Sequence, residues 1–475
     1  MKKVNLLAAA VLAAAFAMPA QANYTPNAYF GGYFRSGVMN KHFNKSDSTV
    51  QHLGRLGAEN DTYAEVMLGA DVATVDDTVW TINSRFSMSS QYNRDWQSTD
   101  NYNAIRNSNG ALTDYANDDV EGTRFAFREF NLQVKGLMDW DKDAVVWSGK
   151  RFYHREDIHI TDFYYHDISG TGAGVENLTA GPGKLSLAWM RRDDGGSYVS
   201  RQDESKSLSG ANSSVHLIDV QYDLPAWDGA NIELRDTYLI PQRNSDSGIK
   251  KNYKASADYG VGNIFDFELN QGYSLGWNKT VLQWVHGSNA NYAAFGNPIW
   301  LDTTGASDSA NRYTFINFGE THFTENLGMF HVVYASYSDN YDNSLTTKKN
   351  DKAFQFVVRP YYRLTKMTRL YFEGGFFTQS SKSYKAIGSS QTASDNTQGQ
   401  KYTLAYAITP DAGNFWSRPE LRFYVSYLHT NGKFNISQWG NSEKNGWEST
   451  TTTTYPGDTT QNRQWLFGVQ AEAWW

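Results

Sequence analysis

Along much of the chain, apolar and polar residues alternate with a period of two. In residues 465–475 one parity reads Trp465, Phe467, Val469, Ala471, Ala473, Trp475 and the other Leu466, Gly468, Gln470, Glu472, Trp474. In a strand these sets face opposite sides. The first is wholly apolar, as lipid contact requires, and the second is mixed. Residues 61–72 place Thr62, Ala64, Val66, Leu68, Ala70 and Val72 against Asp61, Tyr63, Glu65, Met67, Gly69 and Asp71. Residues 416–428 place Leu421, Phe423, Val425 and Tyr427 against Arg418, Glu420, Arg422, Tyr424 and Ser426. Polar stretches rich in Asn, Asp, Gly or Thr, at 101–123 and 432–462, separate such segments and read as long loops. No linker divides the chain, so one domain is expected.

Alternation alone suits a barrel with lipid outside and a sandwich with its apolar faces inward. The start of the chain narrows the choice. Met1-Lys2-Lys3, an unbroken apolar run over 6–18 and Ala20-Gln21-Ala22 form the three parts of a secretory signal peptide, so 1–22 is expected to be removed. The remaining 23–475 contains no apolar run of 18 residues, which excludes a transmembrane helix. Aromatics reach 15%, with 30 Tyr, 26 Phe and 15 Trp, which speaks against disorder. There is no Cys, so stability after export does not come from disulfides. The net charge of −7, moving to −9 without Lys2 and Lys3, argues against nucleic acid as a partner. An all-β transmembrane antiparallel barrel meets all of these observations. A strand ending the chain on Trp-Trp points the same way, since outer-membrane barrels commonly end on an aromatic residue. A secreted all-β glycan-binding protein or glycosidase meets most of them.

Standard catalytic signatures are absent: no Gly-x-Ser-x-Gly, no His-Glu-x-x-His and no phosphate-binding loop. Gly170-Thr171-Gly172-Ala173-Gly174 lacks dinucleotide spacing and reads as a tight turn. His154, Glu156, Asp157, His159 and Asp162 crowd together but match no standard metal spacing, so no metal or cofactor is expected. No carboxylate pair is marked out for glycoside hydrolysis. Aromatics on the charged parity do stand out. Tyr63 shares it with Asp61 and Glu65, Trp416 with Arg418 and Glu420, Trp474 with Gln470 and Glu472, Tyr33 with Arg35, and Trp277 with Lys279 and Gln283. A sugar ring has apolar C–H faces and a hydroxyl rim, so aromatic planes beside ionic groups suit carbohydrate. Taken singly, each is equally an inward packing residue.

The sequence resembles the maltoporin family of outer-membrane sugar channels. The densest stretch is Trp147-Ser148-Gly149-Lys150-Arg151-Phe152-Tyr153-His154-Arg155, continuing through Asp157-Ile158-His159 and Asp162-Phe163-Tyr164-Tyr165 to Gly172-Ala173-Gly174. Gly32-Tyr33-Phe34-Arg35-Ser36-Gly37, Thr62-Tyr63-Ala64-Glu65, Trp416-Ser417-Arg418-Pro419 and Trp474-Trp475 also agree. The resemblance implies 18 strands, long external loops, a homotrimer in the Gram-negative outer membrane, and passive diffusion of maltose and maltodextrins. It implies an aromatic slide of Trp96, Tyr63, Tyr33, Trp416, Trp277 and Trp474. It also implies an inward third loop carrying Tyr164 as constriction, and polar tracks of Arg35, Arg55, Glu65, Arg128, Arg155 and Asp162.

Two departures and one agreement shape the expectation. A first-loop disulfide common in the family is missing, with Asn60 where one Cys would sit. Residues 101–123 look like an insertion after Trp96, in a loop that in the family reaches a neighbouring subunit. Arg155, Tyr164 and Asp167 are retained and no coiled coil fits before Tyr29, which favours a maltodextrin channel over the related sucrose porins. A porin for another oligosaccharide is the alternative. Lipid is an expected partner, and the external loops are surfaces that phage could use.

Overall fold

The computed structural model describes residues 27–40, 52–59, 61–90, 102–106, 112–117, 123–194, 198–199, 207–208, 213–242, 262–287, 310–339, 346–386, 392–432 and 462–475. The expected leader 1–22, Trp96 and Asn60 lie outside them. Eighteen strands form one sheet. They are β1 (Asn27–Met39), β2 (Thr62–Val75), β3 (Thr78–Ser90), β4 (Thr123–Lys135), β5 (Val145–Arg151) and β6 (Gly170–Ala180). Next come β7 (Gly183–Asp194), β8 (Ser213–Trp227), β9 (Ala230–Gln242), β10 (Gly262–Tyr273), β11 (Gly276–His286) and β12 (Asn311–His322). The last six are β13 (Leu327–Asp339), β14 (Thr346–Arg363), β15 (Thr368–Ala386), β16 (Thr392–Ile408), β17 (Glu420–Gly432) and β18 (Asn462–Trp474).

Each strand pairs antiparallel with its neighbours in sequence, and β1 pairs with β18, so the sheet closes and has no edge. Closure satisfies every strand's backbone groups within the wall, the condition for crossing a bilayer. Tight connections at one rim include 76–77, 181–182, 228–229 and 274–275; the long connection 152–169 leaves the other.

The wall is inverted relative to a soluble domain. On β17, Leu421, Phe423 and Val425 are exposed on the outside, while Glu420, Arg422 and Ser426 are buried on the lumen side. On β18, Trp465 and Phe467 face out, as does Trp475 just beyond it, and Leu466, Gln470 and Glu472 face in. The alternation read from the sequence is therefore the division between the outer face and the lumen. It breaks at bulges. Phe125 and Phe127 face out on β4, then Phe130 and Leu132, because the register slips between Arg85 and Phe86 opposite them. The extra residue is Arg128, left unpaired in the ladder as a bulge requires.

Two sequence readings change. The glycine-rich stretch 170–174 is no turn but the start of β6. Side chains at Gly172 and Gly174 would run into the backbone of Trp189 and Leu187, so the glycines permit close strand approach. Trp416 is not in a strand; β17 begins at Glu420, and Trp416 lies in the connection 409–419. Its parity with Arg418 is thus not strand parity. The long polar stretch at 101–123 contains a small ladder of its own, Tyr102–Arg106 with Leu112–Asn117.

The lumen holds two inward segments. Residues 152–169 fold back as a hairpin, Glu156–Ile158 with Phe163–His166, around a single 3-10 turn at His159–Thr161. Ile158 and Ile160 are fully buried, packed with Leu53, Leu56, Val281, Ile316 and Phe330. The second segment, 52–59, escaped the sequence reading. Gln355 and Lys401 donate to its His52 and Gly54 carbonyls, and Leu56 N–H donates to Glu373. Its Arg55 N–H donates to the Ile160 carbonyl at 2.8 Å, joining the two segments.

Candidate functional site

The closure of β18 on β1 aligns Tyr33 with Trp474 in register, and the pairing of β1 with β2 sets Arg35 opposite Tyr63. Rings from strands remote in sequence thus form one line. Tyr63 and Tyr33 have centroids 6.0 Å apart, Tyr33 and Trp474 6.5 Å, and Trp474 and Trp416 6.4 Å. Phe330 continues it, 6.0 Å from Trp416 and 5.6 Å from Trp277. Tyr63 is the second residue of β2, near the long-loop rim, and Trp416 and Trp277 lie at the short-connection rim, so the line runs the length of the wall. Phe330 had no sequence signal, being one of many apolar residues on β13.

An ionic layer flanks the line. Glu472 is buried and accepts from Tyr33 Oη at 2.9 Å, Arg55 at 3.0 Å, Arg418 at 2.8 Å and Arg422 at 2.9 Å. Arg418 also lies 4.1 Å over the Trp474 ring. Arg35 grips Asp61 with two hydrogen bonds and pairs with Glu59 at 3.0 Å; Asp162 is 3.6 Å away. Burial would raise the Glu59 carboxyl, yet Arg35 and Arg55 hold it down to about 2. Glu65 accepts from Tyr63 Oη and from Arg85 at 2.6 Å.

The expected polar-track residues therefore divide. Arg35, Arg55 and Glu65 are no more than 6% exposed and spend their polar atoms on protein partners. Arg128, Arg155 and Asp162 are partly open to the lumen. Arg128 donates to Tyr63 Oη at 3.3 Å, and Arg155 lies 3.5 Å from Asp167. Phe152, unmarked by the sequence, gathers three guanidiniums over its ring: Arg155 at 4.4 Å, Arg85 at 4.7 Å and Arg128 at 4.8 Å.

Tyr164 sits on the inward hairpin opposite Asp157, with the Arg155 guanidinium 4.0 Å over its ring. Asp157 is an exposed residue of the hairpin; partial loss of water within the lumen, then the Asp162 charge, push its carboxyl up to about 6. The hairpin is pinned to the wall from behind. Gln283 donates to the Tyr165 carbonyl at 3.0 Å, Lys279 to Glu156 at 3.1 Å, and His166 Nδ1 lies 2.6 Å from Asp266. His159 at its tip packs 5.0 Å from Trp416 and 5.8 Å from Trp474. Burial, then Arg55, lower its pKa well below the usual value, so a neutral ring backs the aromatic line. The cluster of 154–162 thus disperses to separate partners, and among the described residues no group of three or more His, Asp or Glu is placed to hold a metal.

The sequence profile of the LamB porin family matches residues 28–475. Maltoporin 1 of Klebsiella pneumoniae subsp. pneumoniae is 34% identical over 99% of this chain and 98% of its own. Maltoporin of Photobacterium profundum is 33% identical over 94% of this chain and 93% of its own. Maltoporin 1 of Aeromonas salmonicida is 34% identical over 100% and 99%. Among solved structures, Acinetobacter baumannii OccAB2 aligns over 94% of this chain and 98% of its own, with 9% identity and a TM-score of 0.45. The relatives and the closed eighteen-strand wall agree, and the chain belongs to the LamB porin family, an outer-membrane sugar porin that is a channel and not an enzyme.

Proposed function

We propose that the channel carries maltose and maltodextrins by passive diffusion along Tyr63, Tyr33, Trp474, Trp416 and Trp277, with Trp96 as a further platform from the loop after β3. The observation that carries this is the unbroken line of lumen-side rings with centroids 6.0 to 6.5 Å apart from Tyr63 to Trp416. At that spacing one sugar ring meets the next aromatic plane as it leaves the last. Arg128, Arg155 and Asp162 exchange hydrogen bonds with the passing hydroxyls, while Arg35, Arg55 and Glu65 hold the layer in shape. Tyr164 and the inward hairpin narrow the passage.

A conducting site must bind weakly, or the sugar blocks its own path. An affinity near 1 mM is roughly 4 kcal/mol. Each stack contributes about 0.5–1.5 kcal/mol beyond area burial, and each hydrogen bond nets about 1 kcal/mol. A few partly exposed stacks therefore reach the needed range and do not exceed it.

The working unit is proposed to be a homotrimer exported with residues 1–22 as its leader. Unboiled detergent extract should then migrate as an oligomer that collapses to the monomer on boiling, with a mature N-terminus at Asn23. The substrate is tested in planar bilayers. Maltotriose should reduce ion current in a concentration-dependent way, and more strongly than sucrose. Equal block by both sugars would favour a porin for another oligosaccharide.

A further inference from the structure

Trp416 occupies a connection, where a side chain with two free torsions could swing. Its backbone N–H donates to Asn414 Oδ1 at 2.9 Å, and Phe415 stands edge-on to its ring at 5.2 Å. The decisive contact comes from the wall: the indole Nε1–H donates to Glu320 Oε2, on β12, at 3.0 Å. Glu320 is only 3% exposed. Among the described residues, each of the other seven buried glutamates has a Lys or Arg nitrogen within 4.0 Å. Glu320 has only His322, 3.4 Å away, and its two close donors are neutral: Trp416 and the Tyr361 hydroxyl at 2.9 Å.

A carboxylate taken from water without a strong cation is costly, and hydrogen bonds to its charged form offset that cost. Each Glu320 oxygen is thereby committed to one ring, Oε1 to Tyr361 and Oε2 to Trp416. The same side chain lines, with Trp277, His322, Arg363, Asn414 and Trp416, an open depression at the short-connection rim.

We infer that Glu320 is the positioning residue for the exit end of the path, holding the plane of the Trp416 indole as a hydrogen-bond acceptor. Sugar meets Trp416, and Glu320 acts through it. The inference rests on the reading of Trp416 as a stacking platform. It separates acceptor from charge, because Gln keeps an acceptor oxygen and loses the charge, while Ala loses both.

Maltotriose block in planar bilayers, with 5-fluorotryptophan NMR of the full-length trimer in detergent, tests it. Glu320→Ala should weaken block about two- to tenfold, the range set by loss of one aromatic contact. Glu320→Gln should restore it, although both variants lose the same charge. In a Trp416→Ala background Glu320→Ala should add nothing. Trp416→Phe keeps a ring without the donor and should match Glu320→Ala, which tests the bond even if the Ala variant folds poorly. The fluorine resonance assigned by its loss in Trp416→Phe should move in Glu320→Ala and stay in Glu320→Gln. Equal weakening by Gln and Ala, further weakening in the Trp416→Ala background, a Trp416→Phe channel that binds like the parent, or an unmoved resonance each overturns the inference. If Trp416→Ala leaves block unchanged while the resonance still moves, the sugar path is refuted and the positioning role stands.

Discussion

Tyr33 and Trp474 are direct partners across the seam where the first and last strands join, with ring planes 14° apart and centroids 6.5 Å apart. The step that removes the last sheet edges therefore also builds the middle of the aromatic line. Their lipid-side neighbours complete the seam: Gly32 and Trp475 exchange both backbone hydrogen bonds at 3.2 Å, and the Trp475 ring lies against Phe30.

Deleting Trp475 should accordingly impair assembly. Both hydrogen bonds to Gly32 and the outer aromatic contact disappear, while Trp474 on the lumen side stays in place. The yield of heat-modifiable protein in the outer-membrane fraction should fall. Channels that do assemble should show the parent's maltotriose block. Normal yield would remove the terminal residue from assembly.

Trp416→Ala and Phe423→Ala form a matched pair on the two sides of the wall. Trp416 closes the line next to Trp474, and Phe423 is 44% exposed on the outer face of β17. The first should weaken maltotriose block by roughly 1 kcal/mol, as loss of aromatic contact implies, with little change in ion conductance. The second should leave block intact and act on barrel stability alone. Equal effects on block would detach the aromatic line from the sugar path.

Tyr164→Ala removes the ring that Arg155 covers at 4.0 Å on the inward hairpin. Single-channel ion conductance should rise, and sugar block should weaken. The hairpin itself should stay docked, because Gln283, Lys279 and Asp266 hold its other residues. Unchanged conductance would place the narrowest point elsewhere.

With its carboxyl pushed up to about 6, Asp157 should make ion selectivity depend on pH. Above that value the group is ionised and adds a negative charge beside the passage. Below it the group is neutral, so cation preference should decline as pH falls from 7.5 to 5. Reversal potentials under a salt gradient measure this. Asp157→Asn should behave at pH 7.5 as the parent does at pH 5, and its remaining pH dependence should be smaller. A parent reversal potential flat across this range would refute the assignment.

Alternation along single segments marked the strands and their two faces, while the leader-like start, the lack of a long apolar run and the terminal aromatic favoured a barrel over a sandwich. Period two is a property of each strand alone, so the charged parity of residues 465–475 and 416–428 marks the lumen before any strand is paired. The same reading placed Tyr63, Tyr33, Trp474 and Trp277 on that side. It failed where local period and tertiary position part company. Trp416 belongs to a connection whose indole is aimed by a glutamate on another strand. The order of the rings along the wall, the packing of 52–59 inside the lumen, and the gathering of Arg55, Arg418, Arg422 and Tyr33 on Glu472 were decided only by closure. Tyr33 and Glu472 are 439 residues apart in sequence. No local pattern specifies a contact of that separation, which exists because a closed sheet must bring its first strand against its last.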